Sequence, residues 1–163
     1  MSYSTLTNTM ASELQISWIT WLRLIWNLRN RGSGVRESGA FLLGPKGGGK
    51  ISSFICYDDL DSKCLDSGII RFDGSGYVPL WKQCGSRNLK VLADVHTHPS
   101  AWTDQSEADR NHPMVAQTGH LAIILPHYSE CSWFGPKGAG FYRYLGNRRW
   151  ATLPVKNLKI TIF

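Results

Sequence analysis

A chain of 163 residues has room for one domain with a sizeable core. Its 42% hydrophobic and 18% charged residues exclude a disordered chain, which would need fewer apolar side chains and denser charge. The net charge of +6 favours an acidic partner, but the 18 Lys and Arg are scattered and the densest cluster is only Arg143, Arg148 and Arg149, so no nucleic-acid partner is expected.

The cysteines at 56, 64, 84 and 131 form no C-x-x-C pair, which argues against a cysteine-built zinc knuckle or a thioredoxin-like motif. Cys84 lacks a defined histidine partner and reads as a core thiol. The N-terminus has none of the basic start, apolar run and small-residue cleavage site of a secretory signal. The apolar stretch from Ile16 to Trp26 carries Arg23 and is too short for a hydrocarbon core of ~30 Å, so no membrane partner is expected. A reducing cytoplasm with free thiols is the expected location, with a Cys64–Cys84 bridge left open.

In chain order, residues 1–12 read as a flexible tail and 13–163 as a single domain. Trp18, Trp21, Leu22, Ile25 and Leu28 recur at steps of three and four, the face of an amphipathic helix ending near Arg29–Gly32, where glycine supplies the stop. Strands are expected over 39–45 and 51–56, joined by a Gly-rich hairpin turn. That turn satisfies G-x-x-x-x-G-K, but Ile51 stands where a Ser or Thr must reach Mg²⁺, and strand rather than helix follows, so a phosphate loop is not expected. A polar loop over 57–66, a short strand over 68–72, a helix over 78–86 and a strand over 89–95 come next. Thr103 reads as the N-cap of a helix beginning at Asp104, and Pro113 as a second helical start. Strands over 120–126, 139–145, 149–153 and 158–163 complete an α/β (α+β) domain with one mixed sheet flanked by helices.

The chemistry concentrates between Val91 and Asp109. His96 and His98 close an apolar strand, and residues two apart on a strand project from the same face, so both imidazoles enter one small volume. Pro99 ends the strand. Ser106 and Asp109, three apart, share a helix face, and the seven residues after His98 suffice to fold that helix back over the strand end. Two imidazoles and one carboxylate form the three-ligand set of a catalytic zinc, whose fourth position stays open to water, with Zn–N bonds of ~2.0–2.1 Å. A histidine pair alone is more often structural; the added S-x-x-D changes that balance. A hydrolase needs a base beside its water, for which Glu37 is a candidate with Asp58, Asp59, Asp61 and Asp94 as rivals. Trp102 lies in the adjoining loop, where it either walls a substrate groove or packs locally. His112, His120 and His127 read as surface or loop histidines.

Glu37-Ser-Gly-Ala-Phe-Leu-Leu-Gly44, His96-Thr-His-Pro99 and Ser106-Glu-Ala-Asp109 together resemble the motif set of the JAMM/MPN+ (JAB) metallopeptidases, over roughly residues 14–153. Asp94, two before the first histidine, looks like the prokaryotic, modifier-deconjugating members. Ala40 departs from the pattern where many members carry a second glycine. The resemblance implies an MPN/JAB-type (cytidine-deaminase-like) domain and one zinc ion on His96, His98 and Asp109. It also implies Glu37 as general base, Ser106 as hydrogen-bond donor to the oxyanion, and Asp94 behind the ligands, orienting an imidazole N–H. The implied activity is isopeptide or peptide bond hydrolysis on a ubiquitin-like modifier and its conjugates, within a bacterial conjugation or antiviral defence system, with a homodimer left open. The rival readings are a zinc hydrolase of small amide or cysteine-carrier substrates, a metal-free scaffold, and a nucleic-acid-binding module.

Overall fold

The computed structural model describes residues 13–162; the expected tail over 1–12 lies outside them. Strand β1 (Leu14–Ser17) runs into helix α1 (Trp18–Gly32), whose first turn is capped by the Ser17 hydroxyl accepting from the Thr20 N–H at 3.2 Å. The helix reaches its expected end, but Ser33, at φ 52°, takes the left-handed capping position, with Gly34 following it.

Beyond α1 come β2 (Gly39–Pro45), β3 (Lys50–Ile51), β4 (Ser53–Cys56), α2 (Tyr57–Leu60), α3 (Tyr77–Ser86), β5 (Leu89–Thr97), α4 (Glu107–Asn111), β6 (Leu121–Leu125), β7 (Gly140–Gly146), β8 (Arg149–Thr152) and β9 (Leu158–Thr161). The main sheet has the order β4-β2-β5-β6-β7-β8, with β5 and β6 parallel and the other pairs antiparallel. A mixed sheet flanked by helices is therefore the architecture, as expected. A second sheet, β3-β1-β9, was not expected. It arises because the anticipated strand over 51–56 splits at Ser52: Lys50–Ile51 pairs with β1 and Ser53–Cys56 with β2.

Strand β2 is buried on both faces, and its alternation divides the core. Ala40 and Leu42 join Trp21, Leu24, Ile25 and Leu28 of α1 on one side. Phe41 and Leu43 join Tyr57, Leu65, Leu80 and Cys84 on the other. Ala93 and Val95 of β5 face α1, so Asp94 and His96 face the opposite way.

Four expectations fail here. Residues 68–72 form no strand but an irregular segment. The stretch 57–66 is not a plain polar loop, since Tyr57, Cys64 and Leu65 are buried in it. No helix starts at Pro113. Thr103 is not a cap: its hydroxyl donates to the Gly138 carbonyl, and helix α4 begins only after Ser106. All four cysteines are free. Among the described residues no helix is long and apolar enough to cross a membrane.

Candidate metal centre

The parallel pair β5–β6 needs a crossover, and residues 98–120 supply it, with α4 inside. The carboxyl end of a strand flanked by such a crossover is where α/β sheets hold ligands. His96 lies near the end of the β5 ladder, and His98 follows it, its N–H still bonded to the Leu125 carbonyl at 2.9 Å. The two residues are only 7% and 3% exposed.

Asp109 reaches them from α4. A reciprocal cap orients it: the Asp109 N–H donates to Ser106 Oγ at 3.1 Å, while the Ser106 N–H and hydroxyl donate to Asp109 Oδ2 at 2.8 and 2.7 Å. The result is a cluster with His96 Nε2 and His98 Nε2 3.2 Å apart, His96 Nε2 to Asp109 Oδ1 3.3 Å, and His98 Nε2 to Asp109 Oδ2 3.3 Å. A tetrahedron with bonds of ~2.0–2.1 Å has edges of about 3.3–3.4 Å, so the two Nε2 atoms stand at the spacing of two corners around a zinc-sized ion, and the Asp109 carboxylate spans both of them, one oxygen to each. Among the described residues this is the group of His, Cys, Asp or Glu side chains able to hold a metal ion.

The surroundings fit that role. His98 Nδ1 lies 3.1 Å from the Trp102 carbonyl, an acceptor that keeps the proton there and leaves Nε2 free to ligate. The Trp102 ring, 53% exposed, stacks on the His98 ring at 5.5 Å and 20°. Burial disfavours the His96 cation, but the hydrogen bond and charge of Asp109, with Asp94 and Glu37 behind, raise its pKa overall. Burial would raise the Asp109 carboxyl, yet bonds from both histidines and from Ser106 carry it well below the usual carboxylate range. His96 and Asp109 thus favour each other's charged forms.

Glu37 lines the same cleft as His96, Ser106 and Asp109. Its N–H donates to the Gly68 carbonyl at 3.0 Å, and its carboxylate accepts from the Ile70 N–H. Burial raises its pKa, opposed by the nearby histidines and assisted by Asp109. The irregular segment 68–72 is therefore the clamp that holds Glu37 over the site. Of the rival bases, Asp58 and Asp59 pair with Arg31, and Asp61 accepts from the Lys63 and Asp73 N–H groups.

Asp94 does not bond either ligand histidine. It is 2% exposed, receives a 2.6 Å bond from His120 Nε2 and accepts from the Tyr57 hydroxyl at 3.1 Å. It thus orients an imidazole, but that of His120, which was expected as an ordinary surface or loop histidine and is a buried one, 7% exposed. His112 and His127 are exposed or half-exposed, as expected. The sequence signal for His120 was its position at the head of the wholly apolar strand Leu121–Leu125. Tyr57 carried no signal beyond its place after a strand. Its ring explains a glycine, because a Cβ on Gly39 would sit 2.2 Å from it and 2.8 Å from the Val95 carbonyl.

No family model matches the sequence. Solved structures share the fold. A JAB1/MPN domain protein from Archaeoglobus fulgidus is 20% identical with a TM-score of 0.51, over 92% of this chain and 99% of that one. A protein from Desulfitobacterium hafniense is 13% identical with a TM-score of 0.60, over 90% and 92% of the two chains, and one from Salinibacter ruber is 12% identical at 0.56, over 91% of each. At such identities the likeness establishes the fold, which is of the JAB1/MPN type. On that fold His96, His98 and Asp109 form a group that could hold a metal ion.

Proposed function

We propose that this protein is a zinc-dependent hydrolase of amide bonds, cleaving a ubiquitin-like modifier from its conjugates or trimming the modifier's C-terminus. A bacterial conjugation or antiviral system would be its setting. The observation that supports this reading most is the convergence of His96, His98 and Asp109, with both imidazole nitrogens and the two carboxylate oxygens in contacts of 3.2–3.3 Å, beside a partly buried carboxyl of raised pKa. His96, His98 and Asp109 would hold a zinc ion, which would supply a Lewis acid and make water a better nucleophile at neutral pH.

The protein's own groups then divide the work. Glu37, desolvated and clamped by the Ile70 N–H, accepts one proton from the attacking water and delivers it to the leaving amine, so that water and amide become acid and amine. Ser106 has two duties in this scheme. At rest its hydroxyl donates to Asp109 Oδ2, but its backbone N–H already serves the same oxygen at 2.8 Å. The hydroxyl can therefore turn to a developing oxyanion without stranding the carboxylate. Trp102 supplies the carbonyl that sets the His98 tautomer, and Asp94 with His120 stiffens the wall beneath.

Incubation of purified protein with a modifier–target fusion, with and without chelator, tests the reading. Chelator-sensitive cleavage restored by zinc is expected. Protein that binds no zinc, or cleaves equally well with chelator present, would refute it. Cleavage confined to small amides or cysteine-carrier conjugates would transfer the same chemistry to the rival substrate class.

A further inference from the structure

The cleft that opens beside His96 and Asp109 has a volume of ≈ 830 Å³, within the ~300–1,000 Å³ typical of sites that enclose a ligand. Away from the metal centre its walls are apolar, formed by Ile69, Ile70, Phe72, Tyr77, Met114 and Trp150. They are also braced. Phe72 and Tyr77 meet edge to face at 5.0 Å, the Tyr77 hydroxyl donates to the Met114 carbonyl, and Trp150 Nε1 donates to the Arg110 carbonyl at 3.3 Å. Carboxyls outnumber the one arginine, Arg71, on the lining, but Asp94 is paired with His120 and Asp109 faces the histidines, which leaves Glu37 and Asp73 as the carboxyls without an imidazole partner. A substrate with only small residues around its scissile bond would leave these walls wet, forgoing the main source of binding energy that such a surface offers. An acidic side chain would lose its hydration against these apolar walls, with Glu37 and Asp73 near it.

We infer that this cleft is a side-chain pocket of the substrate, selecting a bulky apolar or aromatic residue beside the scissile bond and rejecting an acidic one. The inference rests on the hydrolase reading of the adjoining metal centre and adds the substrate class to it. Ile69 is the handle for a test, because it stands on the rim at 47% exposure and can be changed without disturbing the core.

The experiment uses zinc-loaded protein and fluorogenic peptides that differ only by Gly, Leu, Phe or Asp on either side of the cleaved bond. For the wild type, kcat/KM for Leu or Phe should exceed that for Gly on the order of 10- to 100-fold, with Asp the poorest. In Ile69→Lys the apolar advantage should shrink and the Asp peptide should improve. A flat profile, or a preference for Gly, in an enzyme that does cleave would overturn the pocket and leave the hydrolase reading standing. Binding supplies the second readout. Zinc-loaded Glu37→Gln protein should bind N-acetylphenylalaninamide more tightly than N-acetylglycinamide, followed by tryptophan fluorescence, and Ile69→Lys in that background should weaken the difference. Such binding without any cleavage by the wild type would keep the pocket and remove the hydrolase reading; equal binding of the two amides would overturn the pocket.

Discussion

Replacing His120 by Leu removes the 2.6 Å partner of Asp94 and leaves a carboxyl that is 2% exposed with the Tyr57 hydroxyl alone, at 3.1 Å. Leucine is close to imidazole in volume, so lost packing is the smaller part of the effect and the stranded carboxyl the larger. Breaking a buried pair in this way costs roughly 3–5 kcal/mol. For a domain of this size, where 1 kcal/mol moves Tm by about 2–4 °C, the midpoint should fall by roughly 6–20 °C. Urea denaturation of the metal-free protein gives the free energy directly, and the double variant Asp94→Leu/His120→Leu supplies the control. With no carboxyl left to strand, the double variant should be more stable than His120→Leu alone, a violation of additivity that only a coupled pair produces. A loss under about 1 kcal/mol for His120→Leu would show that Asp94 finds solvent and is not a buried, paired carboxyl. Simple additivity in the double variant would show the same.

Zinc and Glu37 give two more tests. At 100-fold excess over its Kd, zinc should stabilise the wild type by about 2.7 kcal/mol, and Asp109→Asn should lose that gain in calorimetry with and without metal; an unchanged zinc response would remove Asp109 from the ligand set. Glu37→Gln should keep the zinc response yet lower the cleavage rate by ~10²–10⁴. Because burial raises the folded-state pKa of Glu37, its contribution to stability is present below the unfolded value and is lost as pH rises through the folded one. Metal-free Glu37→Gln should therefore be no less stable than wild type at neutral pH, and the Glu37 carboxyl carbon should titrate above the ordinary range by NMR, moving down when zinc is added. A titration at or below the ordinary range in metal-free protein would refute its burial.

What could be read in the sequence was what depends on short-range periodicity. The i, i+2 relation of His96 and His98 and the i, i+3 relation of Ser106 and Asp109 each constrain one face of one element, and the structure brings those faces together. The α1 stripe and most strands follow from the same logic. The failures share a cause. Residues 57–66 look polar in one dimension, yet Tyr57, Cys64 and Leu65 are buried by chain segments distant in sequence. Thr103 and Ser106 are both good caps by residue type, and the role went to the one whose side chain could exchange bonds with Asp109. His120 resembled any loop histidine until the parallel register brought β6 beside β5 with Asp94 opposite Ala122. The apolar run Leu121–Leu125 marks His120 as the head of a buried strand, but the partner it meets is set by long-range pairing.

The turn after β6 shows the sheet end being held in place against backbone strain. His127, Tyr128 and Ser129 lie in succession at φ 50°, 49° and 64°, and the left-handed region costs an L-residue about 1–2 kcal/mol. The conformation aims two N–H groups back at the segment that follows β5: His127 donates to the Ser100 carbonyl at 3.0 Å, and Tyr128 to the His98 carbonyl at 2.8 Å. The strained turn thus fixes the backbone that carries His98, as strain near candidate sites often does. At an ordinary position Tyr→Ala leaves a protein about 0.5–1 kcal/mol more stable than Tyr→Gly. At Tyr128 the order should reverse, with Tyr128→Gly the more stable, because glycine alone occupies this region freely. Denaturation of the two variants decides the matter. If Tyr128→Ala were the more stable, the backbone there would not be left-handed, and the two N–H groups would have to support His98 and Ser100 in some other way.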